Sequence, residues 1–133
     1  MKDIVNLKLP CKAEFVNVAR MNVATIANNM KMNYEVIQDL KVAVSEACNN
    51  VILHSDSDGY YEIVFAVTKD KLIIEINDYG VGFDMKKYEK PDLKNPKGHG
   101  LGLFIIENLV DEMKIITENE LGTTIKMIKN VNV

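Results

Sequence analysis

The sequence predicts an α+β two-layer sandwich, with a mixed β-sheet and helices packed on one face of it. Three observations lead to this fold class. Five segments alternate as strands do, three show the three-and-four apolar spacing of helices, and the order along the chain is β-α-α-β-β-α-β-β. Such elements each bury one face against the other layer. At 133 residues, we expect residues 1–133 to form one domain.

The chain is expected to begin with a strand and a helix. Residues 4–9 alternate, which predicts a strand that ends at Pro10. Apolar residues then recur at steps of three and four, so we expect a helix over residues 12–31. The side chains predicted to face the core are Phe15, Val18, Ala19, Val23, Ile26 and Met30.

A second predicted helix has two different faces. Asn33 is a suitable cap, and the helix is expected to run to about Leu53. Its apolar stripe consists of Ile37, Leu40, Val44, Ala47, Cys48 and Val51. At about 100° per residue, Glu46 and Asn50 lie off that stripe, and Val42 and Leu53 lie nearer to Glu46. This helix therefore has a second, partly apolar face that carries a carboxylate and an amide.

Two hairpins are predicted in the remainder of the chain. Residues 60–68 and 72–77 are rich in apolar strand formers and are joined by a short polar turn. Residues 113–118 and 123–129 repeat that arrangement around a turn that contains a glycine. Each hairpin adds two strands to the predicted sheet.

A long polar segment and a third helix separate the hairpins. Residues 83–97 contain Pro91 and Pro96 and show no helix or strand pattern, and an apolar helix is predicted over residues 101–111. A loop of that length inside a compact domain is commonly functional. We therefore expect a lid at about residues 83–99.

Composition narrows the class of protein. The net charge is −3 without a basic cluster, which argues against bulk attraction to nucleic acid or an anionic membrane. The first residues lack the apolar core of a signal peptide, and no apolar run approaches the ~20 residues of a membrane span. We therefore expect a cytoplasmic protein. Cys11 and Cys48 lie in apolar patterns without nearby metal ligands, which predicts two buried thiols.

Glu46 and Asn50 are the first candidate functional pair. They are four residues apart, so they lie one turn apart on the same helix face. A carboxylate there can take a proton from a hydroxyl or a water, and an amide oxygen can bind Mg²⁺. One protein ligand suffices where phosphates and waters complete the octahedron. Taken alone, the pair is equally typical of a solvated helix face.

The segment Asp78-Tyr79-Gly80-Val81-Gly82 follows a predicted strand. A carboxylate at a strand end can accept a hydrogen bond from the exocyclic amine of adenine. Gly80 and Gly82 allow the backbone to turn sharply and to approach a flat base. A simple turn after a strand uses the same residue types.

Two further glycine motifs follow. Gly98-His99-Gly100-Leu101-Gly102 directly precedes a helix, where free backbone N–H groups and the helix dipole favour phosphates. Gly122-Thr123-Thr124 opens the last strand, where a hydroxyl can reach a base directly or through water. Each motif alone is weak. Together, in this order and at these junctions, the four motifs predict a site for ATP and Mg²⁺.

These motifs resemble those of the GHKL ATPases, the superfamily of gyrase, heat-shock-chaperone, histidine-kinase and mismatch-repair ATPase domains. The sequence is more similar to the bacterial anti-sigma factors that act as serine-protein kinases, of the sporulation and general-stress types. The most specific stretch is Leu40 to Asn50, and agreement extends to residues 15–20, 78–82, 98–104 and 122–125.

The resemblance implies a Bergerat fold with an ATP lid. Glu46 would be the catalytic base, Asn50 the Mg²⁺ ligand and Asp78 the adenine reader, and Thr123 would assist at the base. The glycines would shape the base pocket, hold the phosphates and hinge the lid; they are Gly80, Gly82, Gly98, Gly100 and Gly102. Leu101 belongs to the phosphate motif. The lid has no arginine, so Lys94, Lys97 or His99 would supply positive charge.

The resemblance also implies partners. Such kinases are typically homodimers that bind a sigma factor and phosphorylate a serine of an anti-anti-sigma protein. Arg20, the only arginine in the chain, occupies the position of a partner-contacting residue. The plain alternative for Arg20 is an exposed cation on a helix. His54 continues the row of Glu46 and Asn50 by four residues and resembles the family pattern, but holding the end of the helix is a simpler role for it than catalysis.

Two alternative functions stay open. One, suggested by the short lid between Gly82 and Gly98, is a regulatory module that binds ATP with little turnover. The other is a stand-alone catalytic domain of the histidine-kinase type, which would phosphorylate a histidine on a separate helical hairpin. The acid lability of the product distinguishes phosphohistidine from phosphoserine.

Overall fold

The computed structural model describes residues 2–54, 59–79, 101–118 and 122–131. Within them the chain forms five strands and three α-helices. The strands are β1 (Asp3–Pro10), β2 (Tyr60–Val67), β3 (Lys71–Asp78), β4 (Glu112–Glu118) and β5 (Gly122–Asn130). The helices are α1 (Val16–Asn29), α2 (Tyr34–His54) and α3 (Leu101–Leu109), and a single 3₁₀ turn, Ala13–Phe15, precedes α1. The predicted lid over residues 83–99 lies outside the described residues.

The sheet is antiparallel in every described pairing, so the prediction of a mixed sheet is wrong. Its strand order is β1-β2-β3-β5-β4, and all four neighbouring pairs are antiparallel. The reason is the way in which the last hairpin docks. Its second strand, β5, lies beside β3, and its first strand, β4, forms the edge. Had β4 lain beside β3, that pair would have been parallel.

Alternation along the strands separates two faces of the sheet. Leu72, Ile74, Ile76 and Asp78 are buried on β3, whereas the intervening residues are only partly buried. The inward residues pack with α1, α2 and α3 in one hydrophobic core. The other face, called the outer face below, carries the partly buried residues. This is the predicted two-layer sandwich with its helices on one face.

The first helix differs from its prediction in its start and at one predicted core residue. Residues 13–15 form a 3₁₀ turn, and the α-helix begins only at Val16. Ala19 and Val23 are buried, and Ile26 and Met30 pack against the core, as predicted. Val18 is 40% exposed instead, because it lies about 100° around the helix from the buried Ala19.

The second helix agrees closely with its prediction. The backbone N–H of Val36 donates to Asn33 Oδ1 at 2.9 Å, which is the expected cap three residues into the helix. The buried stripe includes Leu40, Val44, Ala47, Cys48 and Val51, together with Ala43. Among the described helices, none is both long enough and apolar enough to cross a membrane.

Both cysteines are free thiols in the core, as predicted. Burial raises the pKa of the Cys48 thiol to about 11, although the neighbouring Tyr61 hydroxyl lowers it in part. Burial also raises the pKa of Tyr61, and the nearby Cys48 adds to that rise. Both groups therefore stay neutral near pH 7, as buried polar groups without counter-charges do.

Candidate functional site

Helix α2 and the start of α3 hold the candidate catalytic carboxylate. Glu46 and Asn50 are both partly buried on α2, one turn apart. Leu101 and Gly102 open α3, which packs against α2. A Cβ atom added to Gly102 would lie 3.0 Å from Glu46 Oε2. The glycine thus allows the first turn of α3 to approach the carboxylate closely.

The second part of the site lies where β3 ends and β5 begins. This end of two inner strands is called the sheet edge below, and it is distinct from the outer strands β1 and β4. Asp78 and Thr123 are directly opposite in the β3–β5 register. Both face the core side and are 5% and 6% exposed, and they are the buried polar residues among the described part of the chain. Their register thus places a carboxylate and a hydroxyl side by side on the core side of the sheet, where the strands end.

Gly122 determines the backbone geometry at the same edge. Its φ is 96°, a left-handed conformation that favours glycine. A Cβ at this position would lie 1.7 Å from the carbonyl oxygen of Asp78 and 3.0 Å from Cα of Tyr79. Only a residue without a side chain permits the two strands to approach so closely. The fourth motif of the sequence analysis therefore packs directly against the backbone of Asp78.

A cavity joins the helix to the sheet edge. It opens to solvent and is small, with room for about one water molecule. Its polar lining is Asn50, His54, Asp78 and Thr123, and its apolar lining is Val51 and Ile125. The structure thus brings together an amide from α2 with the carboxylate and hydroxyl from the sheet, residues far apart in sequence. This juxtaposition was predicted from the order of the motifs.

His54 also lines the cavity, beside Asp78. It ends α2 and lies one turn after Asn50, so it continues the row of Glu46 and Asn50. The sequence analysis favoured a helix-end role, and the same four-residue spacing is the signal that indicates a place in the site.

The remaining predicted site residues are distributed as follows. Arg20 is half-buried on α1 and does not line the cavity. Six predicted site residues lie outside the described part of the chain: Gly80, Gly82, Lys97, Gly98, His99 and Gly100. Their assignments stay predictions.

Comparison with known proteins shows the class of protein to which this chain belongs. A sequence model of the histidine kinase-like ATPase domain matches residues 9–129, which is most of the chain. A solved structure of the RsbU and RsbW domains of a Mycobacterium tuberculosis protein superposes on 98% of this chain with a TM-score of 0.72. This chain spans 33% of that longer chain and is 18% identical to it, so the likeness concerns the fold alone.

Curated relatives narrow the family. A serine-protein kinase RsbW of Bacillus cereus is 36% identical over 137 residues, which cover 96% of this chain and 84% of that protein. A serine-protein kinase RsbW of Oceanobacillus iheyensis is 40% identical over 141 residues, which cover 97% and 87%. The chain therefore belongs to the RsbW serine-protein kinases within the histidine kinase-like ATPase family.

We expect Gly102→Ala to reduce kinase turnover without loss of stability. The added methyl group would lie 3.0 Å from Glu46 Oε2 and displace the carboxylate. A misplacement of ~1 Å costs about a hundredfold in rate, so a shift of a few tenths of an ångström is expected to cost up to about tenfold. Alanine also favours a helix over glycine by about 1 kcal/mol, so the melting temperature should hold or rise.

The matched control is Asn108→Ala, an exposed position on the same helix. Phosphotransfer rates and thermal melts of both variants check the prediction. Wild-type turnover in Gly102→Ala would contradict the proposed contact between α3 and the carboxylate.

Proposed function

We propose that this chain binds ATP and Mg²⁺ in the cytoplasm and transfers the γ-phosphoryl group to a serine of an anti-anti-sigma protein. In this proposal it also acts as an anti-sigma factor that binds a sigma factor, as a homodimer, with Arg20 as a partner contact. The observation that carries the proposal is the cavity shared by Asn50, Asp78 and Thr123, with Glu46 one turn away against α3.

The sheet edge suits the adenine base. The Asp78 carboxylate is a hydrogen-bond acceptor, and adenine presents an exocyclic amine donor. The Thr123 hydroxyl, directly opposite, offers both a donor and an acceptor. The described residues thus supply an acceptor and a hydroxyl for the base end of the proposed site.

Asn50 suits a magnesium ion held mainly by phosphates. Its side chain lines the cavity, and its amide oxygen is a hard ligand of the type that Mg²⁺ takes. Within the described ranges there is no group of three or more His, Cys, Asp or Glu side chains placed to bind a metal. Bound there, Mg²⁺ would neutralise charge on the transferring phosphoryl group.

Glu46 suits the role of general base. Its side chain is partly exposed on α2 and lies close to Gly102 at the start of α3. The carboxylate would take the proton of the serine hydroxyl. The serine oxygen then forms a bond to the γ-phosphorus while the bond to the β,γ-bridging oxygen breaks, and ADP leaves. Catalysis by such a site rests on positioning and charge neutralisation.

The surface around Glu46 suits a protein substrate. Val42 and Leu53 lie on the same side of α2 as Glu46, at about 100° per residue. They are 44% and 65% exposed. Beside Glu46 they offer an apolar contact next to the proposed base, which is compatible with a serine on a protein.

Incubation with γ-labelled ATP, Mg²⁺ and candidate anti-anti-sigma proteins tests the proposal. We expect label on one partner serine, stable in acid. Acid-labile label would indicate the histidine-kinase-type alternative. Nucleotide-dependent partner binding without any label would indicate the regulatory module. Either of those results would overturn the serine-kinase proposal.

We expect Asn50→Ala to raise the Mg²⁺ concentration needed for ATP binding. Loss of a metal ligand or its support weakens metal affinity on the order of ten- to a hundredfold. The matched control is Asn49→Ala, an exposed amide at the neighbouring position. Titrations of ATP at several Mg²⁺ concentrations check this. If both variants show the wild-type Mg²⁺ dependence, Asn50 is not the ligand.

A further inference from the structure

The two residues that flank Asp78 point away from the cavity. Asp78 lies on the core side of the sheet, whereas Asn77 and Tyr79 lie on the outer face or project from it. Tyr79 is 58% exposed, one residue beyond the end of β3. Contacts that fix Asn77 and Tyr79 on the outer face therefore also fix the backbone of Asp78 between them.

Both neighbours are tied to other strands. The Thr124 hydroxyl donates to Asn77 Oδ1 at 2.6 Å, across to β5. The Tyr79 hydroxyl interacts with the carboxylate of Glu62, across to β2, since desolvation and this carboxylate together raise the pKa of Tyr79. The register places Asn77 between Glu62 and Thr124, so the two contacts connect the end of β3 to both of its neighbouring strands. We call the Thr124–Asn77 bond and the Tyr79–Glu62 contact the outer-face brace.

The ends of strands are where a sheet opens most readily, because the last pairs have support from one side only. A hydrogen bond that distinguishes two bases depends on the placement of its acceptor. Adenine presents an amine where guanine presents a carbonyl oxygen, so a misplaced carboxylate loses selectivity as well as affinity. The outer-face brace acts on the backbone of Asp78, whose carboxylate must stay in place to distinguish adenine from guanine.

We propose that the outer-face brace positions Asp78 and thereby sets the preference for adenine over guanine nucleotides. Asn77, Thr124, Tyr79 and Glu62 are positioning residues in this account, since none faces the cavity. This inference rests on the proposed role of Asp78 as the base reader. It adds that selectivity is controlled from the opposite face of the sheet.

The test compares Thr124→Val, Thr124→Ser and Tyr79→Phe by calorimetric titration with ATP and with GTP in the presence of Mg²⁺. Valine retains the shape and strand preference of threonine but cannot donate, whereas serine can. We expect the ratio of ATP to GTP affinity to fall about two- to tenfold in Thr124→Val, the range of one net hydrogen bond. Serine should restore it, and Tyr79→Phe should lower it in the same direction.

Thermal melts and an Asp78→Asn variant separate the possible failures. If Thr124→Val and Tyr79→Phe lower only the melting temperature and leave the ATP-to-GTP ratio unchanged, the brace is merely structural and this inference is wrong. If Asp78→Asn itself keeps the wild-type ratio, the proposed base reader fails as well. Loss of the ratio in Asp78→Asn but not in the brace variants overturns the brace alone.

Discussion

Glu46→Gln is expected to abolish most phosphoryl transfer while ATP remains bound. Glutamine keeps the size of the side chain and its packing against α3 but cannot accept the serine proton at neutral pH. General-base catalysis contributes on the order of a hundred- to ten-thousandfold to a rate, so a loss of that size is expected. Single-turnover transfer of labelled phosphate to the partner, with ATP affinity measured in parallel, checks both halves of the expectation.

The control for this variant is Glu35→Gln, an exposed carboxylate in the first turn of the same helix. It changes the net charge equally and lies away from α3. We expect it to transfer phosphate at the wild-type rate. If Glu46→Gln also transfers at that rate, the catalytic assignment is wrong, whatever the affinity for ATP.

Gly122→Ala is expected to be the most destabilising single substitution in the site. Its φ of 96° strains any residue with a side chain, and its Cβ would lie 1.7 Å from the Asp78 carbonyl oxygen. Backbone strain of about 1–2 kcal/mol and overpacking of about 1–3 kcal/mol together predict a loss of roughly 2–5 kcal/mol. A denaturant titration measures the change in the free energy of unfolding.

Gly102→Ala serves as the matched glycine substitution, because its contact is the flexible end of a side chain and not a backbone carbonyl. We expect Gly122→Ala to lose stability and ATP affinity together, and Gly102→Ala to lose turnover only. A Gly122→Ala variant as stable as the wild type would mean that β3 and β5 are not packed as closely as described.

Much of the fold follows from local patterns. The strands and α2 were predicted within one or two residues because alternation, helical spacing and the Asn33 cap act locally. The mixed sheet was predicted wrongly because hairpin spacing does not reveal which strand of the last hairpin lies beside β3. The exposure of Val18 was missed because spacing alone admitted an apolar residue that lies about 100° from Ala19, off the buried stripe of α1.

The candidate site was predicted in part. Glu46, Asn50, Asp78 and Thr123 were singled out by residue type and junction, and the structure brings the last three to one cavity. The contact of Gly122 with Asp78 and the bond between Thr124 and Asn77 were not predicted. Both join β3 to β5, and contacts between segments more than forty residues apart depend on a register that local spacing does not specify.

Titration of ATP and Mg²⁺ into the wild-type protein and Asp78→Asn tests most directly whether α2 and the β3–β5 edge form one nucleotide site. The asparagine variant keeps the shape of the buried side chain but replaces an acceptor oxygen with a donor group. The proposed site predicts clear binding by the wild type and a loss of at least about tenfold in the variant, the value of one charge-assisted hydrogen bond. Equal affinity in the two proteins, or no binding by the wild type, would contradict it.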